Sequence, residues 1–346
     1  MGLFGRGKVS AGLDIGSGFV KLVVVDHSGD QPEITQLATS PLVPDAIVDG
    51  EVMDPVLVAD TIRSVVDSAG LKKKNVVAAV GGHDVIIKKI QMDRMEEADA
   101  REVIRWEAEQ HVPFDMESVQ LDFQILDPEG DGAQMSVLLV AAKRELIDNR
   151  MSLLADAGLS APIIDVDAFA LHNAFEVNYP GEMSGLIALV NVGHETTNVN
   201  LIENGVPLSV REISFGSRRL REALQRERGL TADEAEEMVQ GRSRQTAELD
   251  SFVAERADEL GVGIERAAAF IAAQTGGGEV SRVFLSGGGA RVPGMAEALA
   301  SRLRIPVRVV SPLERVAVRP DVMQSHPIDE LAPMLMMAVG LAMRRP

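Results

Sequence analysis

The chain has 346 residues, 46% of them hydrophobic and 25% charged, a globular composition with enough length for one large or two ordinary domains. Its 52 acidic and 34 basic residues give a formal net charge of −18, and aromatic residues make up only 3%; both argue against nucleic-acid binding, because phosphates repel acidic surfaces and bases stack on aromatic rings. The absence of cysteine excludes disulfides, thiolate zinc sites and cysteine nucleophiles, and it fits a reducing compartment.

The start of the chain is predicted to be a three-strand meander. Strands are expected at 9–15, 19–26 and 33–39, with a glycine turn at 16–18 and a second turn at 27–30. A helix follows, with Asp54 as its N-cap, Pro55 in its first turn and Gly70 at its end, and then a buried strand. The helix and this strand are expected over 55–69 and 76–80.

The next segment mixes helices and strands. Helices are predicted over 97–111 and 143–157, and strands over 120–126, 134–142 and 162–166. The proline that follows the first of these helices is expected to end it.

A second meander then repeats the layout of the first. Its strands are expected at 186–192, 197–203 and 206–213, with a glycine turn after the first strand and an Asn-Gly turn after the second. Asn191 takes the place that Asp14 has at the end of the first strand. We interpret the two meanders as one unit used twice, and chance similarity is the alternative.

The rest of the chain is mostly helical. A charged helical region is predicted over 218–273 and is broken by the glycines 276–278; a strand at 283–286, a glycine turn and a helix at 293–303 follow. The apolar stretch 332–343 is predicted to be a packed helix, because it is shorter than the roughly 20 residues that span a bilayer. We therefore expect a cytoplasmic protein without direct membrane insertion.

The first glycine turn is a candidate phosphate site. Gly16 and Gly18 allow backbone N–H groups to point into the turn, Ser17 adds a hydroxyl donor and Lys21 a cation. Asp14 is placed to hold Mg²⁺, most simply through water. The alternative is a tight hairpin with a solvated aspartate. A Walker loop is excluded, because that motif ends in Gly-Lys-Ser/Thr before a helix.

The second glycine turn offers the same donors and two further hydroxyls. It consists of Gly193, His194, Glu195, Thr196 and Thr197. The alternative is again a plain hairpin, in which the histidine is a surface residue.

The third turn, between a strand and a helix, carries Gly287, Gly288, Gly289 and Arg291. Three glycines permit the close approach of a flat ring or a phosphate, and a flexible loop is the alternative. Together, the three turns predict two similar lobes that enclose a nucleotide.

These motifs resemble those of the actin-like ATPases, which include sugar kinases, heat-shock chaperones and FtsA. The resemblance implies ATP and Mg²⁺ in a cleft between two lobes, with Asp14 and Asp167 as the catalytic carboxylates. Asp167 occupies the acidic position at the start of the helix between the lobes, and Glu236 would reach the ribose.

A closer resemblance is to the PilM family, the cytoplasmic actin-like components of type IV pilus assembly. It rests most on Ile-Arg-Trp-Glu-Ala-Glu-Gln-His-Val-Pro-Phe at 104–114, and also on 48–51, 140–143 and the Gly-Leu-Phe-Gly start. The resemblance implies binding of the N-terminal cytoplasmic peptide of PilN, contacts with other platform and motor components, and a peripheral place at the inner membrane through partner proteins. A homo-oligomer or ring is an open alternative.

The resemblance also implies an α/β, actin-like (ribonuclease H-like) two-lobe ATPase fold with an FtsA-like subdomain inserted in the first lobe. Four units are expected. The first-lobe core comprises 9–82 plus 162–182, and the inserted subdomain comprises 83–161. The second-lobe core comprises 183–215 plus 280–346, and the second-lobe helical subdomain comprises 216–279.

Two residues depart from the actin-like pattern. Asn191 stands where an aspartate is usual, and Val239 stands where a lysine is usual. Asparagine brings no negative charge for magnesium or for polarising water, so slow or negligible ATP hydrolysis is expected. An active sugar-kinase-like phosphotransferase and an FtsA-like membrane-associated filament former are the alternative functions.

Overall fold

The computed structural model describes residues 9–240, 242, 247–275 and 278–345. The strands within these residues are β1 Val9–Ile15, β2 Phe19–Asp26, β3 Glu33–Pro41, β4 Ile47–Val48, β5 Glu51–Val52, β6 Asn75–Val80, β7 Val85–Asp93, β8 Val119–Ile125, β9 Gln134–Lys143, β10 Ser160–Val166, β11 Leu186–Val192, β12 Thr197–Glu203, β13 Val206–Ile213, β14 Arg282–Ser286, β15 Val307–Val309 and β16 Ala317–Val318. The helices are α1 Pro55–Ala69, α2 Glu97–Glu109, α3 Arg144–Asp156, α4 Asp167–Asn178, α5 Ser217–Arg228, α6 Ala232–Val239, α7 Ala247–Thr275, α8 Met295–Leu303, α9 Pro320–Ser325, α10 Ile328–Leu331 and α11 Met336–Ala342.

Two large sheets are built on the repeated meander. In the first, the order β10-β6-β1-β2-β3-β16 places the antiparallel meander β1–β2–β3 beside the parallel strand β6. In the second, the order β13-β12-β11-β14-β15 places the meander β11–β12–β13 beside the parallel strand β14. The two copies share their pairing, so the predicted repetition is confirmed.

The third sheet is antiparallel and has the order β7-β9-β8. One face packs against α2 through a core that includes Ile90, Ile104, Met135 and Leu139. Trp106 lies on the outer side of α2 and is 76% exposed. The sequence did not predict β7, because Lys88 and Lys89 interrupt its apolar alternation.

Local capping signals set the predicted helix α1. The Asp54 side chain accepts a hydrogen bond of 3.0 Å from the Leu57 N–H, and Pro55 opens the helix. Gly70 ends it at φ 68°, a left-handed conformation that glycine adopts without strain. Helix α1 then buries Ile62 and Val65 against the first sheet.

Within the described residues, the predicted helical region over 218–273 consists of the three helices α5, α6 and α7. Helix α5 ends at Gly229, whose φ of 68° is incompatible with a continuing helix. Thr231 and Glu234 then form a capping box at the start of α6. The predicted break at 276–278 falls in part on residues 276 and 277, which lie outside the described residues.

The C-terminal helix α11 is buried, as predicted, and packs against β1, β2 and α4. Glycines permit this close packing: a Cβ atom on Gly12 would overlap the Ala338 carbonyl, and one on Gly340 would overlap the Ala170 carbonyl. The Ser10 hydroxyl donates to the Ala342 carbonyl. Within the described part of the chain, no helix is both long and apolar enough to cross a bilayer.

Candidate functional site

A cleft of about 820 Å³ opens between the two large sheets. It lies beyond the carboxyl ends of β1, β6 and β11, which is where ligands bind in open α/β sheets. The predicted site residues that line it are Asp14, Gly16, Ser17, Gly18, Lys21, Asp167, Asn191, Gly193, His194, Glu195, Thr196, Glu236, Gly287, Gly288 and Arg291. The fold therefore brings together in one cavity three turns that are far apart in the chain.

Two predicted site residues do not line the cleft. Thr197 is fully buried, and its hydroxyl donates a 2.6 Å hydrogen bond to the Phe215 carbonyl. Gly289 packs so closely on Val192 that a Cβ atom would overlap this side chain. In this structure both residues hold the turns in place and do not face the cavity.

The first turn carries a close ion pair. Asp14 and Lys21 face each other across β1 and β2, with Oδ2 and Nζ 2.6 Å apart and each side chain 12% exposed. The Gly16 N–H bonds the Phe19 carbonyl at 3.1 Å, which closes the turn. This pair puts one carboxylate and one ammonium at the floor of the cleft.

The second turn contacts the first through His194. Its ring lies so close to Gly18 that a Cβ atom there would be 2.7 Å from it. Burial, and then the positive charges of Arg221 and Arg218, lower the pKa of His194, which favours the neutral imidazole. The histidine therefore belongs to the contact between the lobes and is not a surface turn residue.

Ionic contacts join the lobes at the mouth of the cleft. The Arg218 guanidinium contacts Asp45 at 2.7 Å and Glu195 at 3.1 Å. Glu195 also accepts a 3.0 Å hydrogen bond from the Asp49 N–H. Because Asp45 and Asp49 lie in the first lobe, this network bridges the two lobes.

Asp167 begins helix α4 at the inner end of the cleft. Its carboxylate lies against Gly81, where a Cβ atom would overlap it. Burial, and then the negative charge of Asp14, raise the pKa of Asp167 to about 6, while Arg150 opposes the shift. A carboxyl with a pKa near neutrality is suited to exchange protons, which is typical of functional sites.

Sequence reasoning missed Arg150, which lines the same end of the cleft from α3. A signal existed: Arg150 follows Leu146 by four residues and precedes Leu153 by three, so a charged residue lies on the inward face of this helix.

The opposite end of the cleft belongs to the second lobe. Glu236 on α6 accepts a 2.7 Å hydrogen bond from Arg221 and a second one from Gln240. Burial works against ionisation of Glu236, yet these two bonds outweigh it and lower its pKa. Val239 also lines this end, so the cleft has an apolar side chain where the actin-like pattern has a lysine.

The third turn is packed tightly onto the second sheet. Gly287 has φ 86°, and a Cβ atom there would overlap the Val192 carbonyl and approach Asn191. Arg291 reaches the Met334 sulfur at 3.3 Å and the Gln240 carbonyl at 3.4 Å. Gly287 is therefore needed for the close approach of the third turn to the end of β11.

The polar groups of the cleft are suited to a magnesium ion that has few protein ligands. Two carboxylates, Asp14 and Asp167, face the inner end of the cleft, whereas Asn191 is neutral and accepts a 3.4 Å hydrogen bond from Ser286. No cluster of three His, Asp or Glu side chains suited to a metal occurs in the described ranges. Magnesium commonly uses one or two carboxylates together with phosphate and water oxygens, which this arrangement fits.

Two sheets of matching topology around a cleft lined by three glycine turns define a two-lobe protein with the actin-like fold. A family model described as "Type IV pilus assembly protein PilM" matches residues 12–346, and the chain belongs to that family. It is 31% identical to a chain of the "PilM-PilN type IV pilus biogenesis complex", with 98% of this chain and 99% of that chain covered and a TM-score of 0.83.

More distant structures share the fold. The ethanolamine utilization protein EutJ from Carboxydothermus hydrogenoformans is 18% identical, with 96% of this chain and 89% of that chain covered and a TM-score of 0.54. MreB 5 of Spiroplasma citri bound to AMPPNP is 12% identical, with 97% of this chain and 95% of that chain covered and a TM-score of 0.53. At these identities the likeness is one of fold.

Proposed function

We propose that the chain is a cytoplasmic nucleotide-binding adaptor of the type IV pilus inner-membrane platform. It binds ATP with Mg²⁺ in the cleft between the lobes and the N-terminal cytoplasmic peptide of PilN on its surface. The observation that carries the proposal is the 31% identity, over nearly the full length of both chains, to a chain of the PilM-PilN complex.

The cleft supplies the groups that a nucleotide needs. The glycine turns offer backbone N–H donors to phosphates, and Lys21 offers a cation. Asp14 would hold Mg²⁺, most simply through water, and the ion would neutralise charge on the phosphates when bound. Glu236 would accept hydrogen bonds from the ribose, and Gly288, where a Cβ atom would meet nothing within 4 Å, leaves room for the base.

We propose that hydrolysis is slow. Asn191 ends β11 where a carboxylate would polarise an attacking water, and an amide brings no charge for this task. Asp167 remains as a candidate base, and its pKa near 6 leaves it mostly ionised at pH 7. The nucleotide then acts mainly by holding the two lobes together.

Adaptor function is favoured over the two alternatives. A filament former held on the membrane by an amphipathic C-terminal helix needs an exposed helix, and α11 is buried. A protein with a net charge of −18 is repelled by anionic lipid, so a peripheral place at the inner membrane comes through partner proteins. The second alternative, a sugar kinase, is distinguished from the adaptor by its reaction, because a sugar kinase would convert ATP to ADP only when its sugar is present.

The domain organisation fits this role. We propose a first-lobe core at 9–82 plus 162–182, an inserted subdomain at 83–161, a second-lobe core at 183–215 plus 280–346 and a helical subdomain at 216–279. The third sheet lies in the inserted unit, and the PilN peptide would bind in a groove between this unit and the first-lobe core. Other platform and motor components, and further copies of the chain in a ring, would use the remaining surfaces.

The nucleotide arm of the proposal is tested by calorimetric titration with ATP and Mg²⁺. Asp14→Ala removes the carboxylate beside Lys21. This variant is expected to bind the magnesium-nucleotide at least tenfold more weakly, because a charge-assisted contact is lost. Asp30→Ala, in an exposed turn of the same lobe, is the matched control and should bind as the wild type does. Equal affinities of the Asp14 variant and the control would show that the site lies elsewhere.

The partner arm is tested with a synthetic peptide of the N-terminal cytoplasmic residues of PilN and a scrambled peptide of the same composition. We expect micromolar binding of the first peptide alone. No difference between the two peptides, together with ADP release that depends on an added sugar, would replace the adaptor with a kinase.

A further inference from the structure

Within the described ranges, Arg150 forms no close ion pair, and one of its donors makes no hydrogen bond. Its Nη1 atom is buried and makes no hydrogen bond. In the part of the chain that the structure describes, the other guanidinium and ammonium groups of the cleft are paired: Lys21 with Asp14, Arg221 with Glu236, and Arg291 with Glu330. Among the described residues, no ion pair within 4.0 Å involves Arg150, and its Nη1 atom has no hydrogen-bond acceptor.

A buried guanidinium N–H without an acceptor is costly. Loss of its hydrogen bond to water costs more than the loss of a neutral donor's bond, because the group is charged. Burial accordingly lowers the pKa of Arg150, and Asp167 and Asp14 only partly oppose this effect from a distance. The free protein therefore holds a donor for which the natural acceptor is an anion entering the cleft.

The position of Arg150 says which part of a nucleotide it would meet. Asp167 and Asp14 are the acidic groups whose charges act on it, and both line the cleft beside the first glycine turn, the proposed phosphate site. The ribose-binding candidate Glu236 and Arg291 lie at the other end. A nucleotide whose ribose lies at Glu236 and whose phosphates lie at the first glycine turn would therefore direct its terminal phosphate toward Arg150.

We propose that Arg150 is the ligand of the terminal phosphate and makes the cleft prefer a nucleoside triphosphate over a diphosphate. This inference rests on the nucleotide site proposed above. A guanidinium matches the geometry of phosphate oxygens, and its charge stays when Asp167 titrates. The diphosphate lacks the group that reaches Arg150, so it leaves the buried donor unpaired.

The test compares ATP and ADP affinities of the full chain by calorimetry with Mg²⁺, using Arg150→Met, Arg150→Lys and, as matched control, Arg144→Met. Arg144 is an exposed residue at the start of the same helix. Arg150→Met is expected to weaken ATP binding by about 10–100-fold, because one charge-assisted hydrogen bond to the nucleotide is lost. ADP binding should weaken less than threefold. Arg150→Lys should keep part of the ATP preference, and Arg144→Met all of it.

Thermal unfolding without nucleotide separates this role from a structural one. Because Arg150→Met removes an unsatisfied buried donor, its melting temperature should equal or exceed that of the wild type. The inference is overturned if Arg150→Met lowers ATP affinity and ADP affinity equally. If Arg150→Met does not fold, the same comparison is made with Arg150→Lys. A wild-type protein that binds neither nucleotide would instead overturn the proposed nucleotide site.

Discussion

Replacing Asp167 by asparagine should stabilise the free protein at neutral pH. Asparagine keeps the size of the side chain at the start of α4 but carries no charge. The wild-type carboxyl has its pKa raised from 3.8 to about 6 by burial and by the nearby Asp14. The folded protein therefore holds a proton on Asp167 over a pH range in which the unfolded chain has lost it.

The sign and size of the effect follow from this difference. Between pH 4 and pH 6 the native state binds more protons than the unfolded state, so wild-type stability falls as pH rises through this window and does not recover above it. A pKa near 6 in place of 3.8 corresponds to about 3 kcal/mol at neutral pH. The carboxyl faces the cleft and is partly solvated, so we expect a gain of about 1–3 kcal/mol for Asp167→Asn.

The assay is urea unfolding of wild type and variant at pH 4, 5, 6 and 7.5 without nucleotide. Other titrating groups are common to both proteins and cancel in the difference. Asp156→Asn, at the exposed end of α3, is the control and should leave stability unchanged at each pH. The reasoning is wrong if the difference between Asp167→Asn and wild type does not grow between pH 4 and pH 6. The same variant should bind magnesium-nucleotide more weakly, so stability and binding would move in opposite directions.

Three further predictions concern the framework around the cleft. Arg344→Ala removes the guanidinium that lies 3.0 Å from the buried Asp165 carboxylate, and it should lower the free energy of unfolding by about 1–3 kcal/mol at pH 7.5, measured with urea. The loss should be smaller at pH 4, because burial raises the pKa of Asp165 and so favours the uncharged carboxyl there. Gly340→Ala brings a methyl group onto the Ala170 carbonyl and should lower the free energy of unfolding by at least about 2 kcal/mol; a variant with wild-type stability would disprove the close contact. Thr231→Ala removes half of a capping box and should cost about 1 kcal/mol, whereas Thr231→Ser should cost almost nothing.

Local signals in the sequence were enough to predict the framework. The strands of both meanders were predicted to within two residues, because glycine and Asn-Gly turns delimit short apolar runs. Helix α1 was predicted with the correct ends, because its N-cap and its terminal glycine act within one turn of the helix. Repetition of the meander then pointed to two lobes and a cleft.

Features that depend on distant residues escaped prediction. The direction of the Thr197 hydroxyl, toward Phe215 and away from the cleft, depends on a strand that pairs with β12. The contact of His194 with Gly18 joins residues of two different lobes. Arg150 belongs to a segment without any glycine turn, and only the packing of α3 beside β10 brings it to the site.

The burial of α11 against β1 has a consequence for synthesis of the protein. Strand β1 leaves the ribosome long before α11, because almost all the other strands and helices lie between them in the chain, yet Gly12 and Ser10 on the strand contact the helix directly. Until α11 emerges, the nascent first lobe exposes the apolar face of β1 and β2 that this helix covers. A chain broken off before residue 336 would keep that face uncovered, so chaperones and proteases could distinguish an unfinished copy from a finished one before either met a partner.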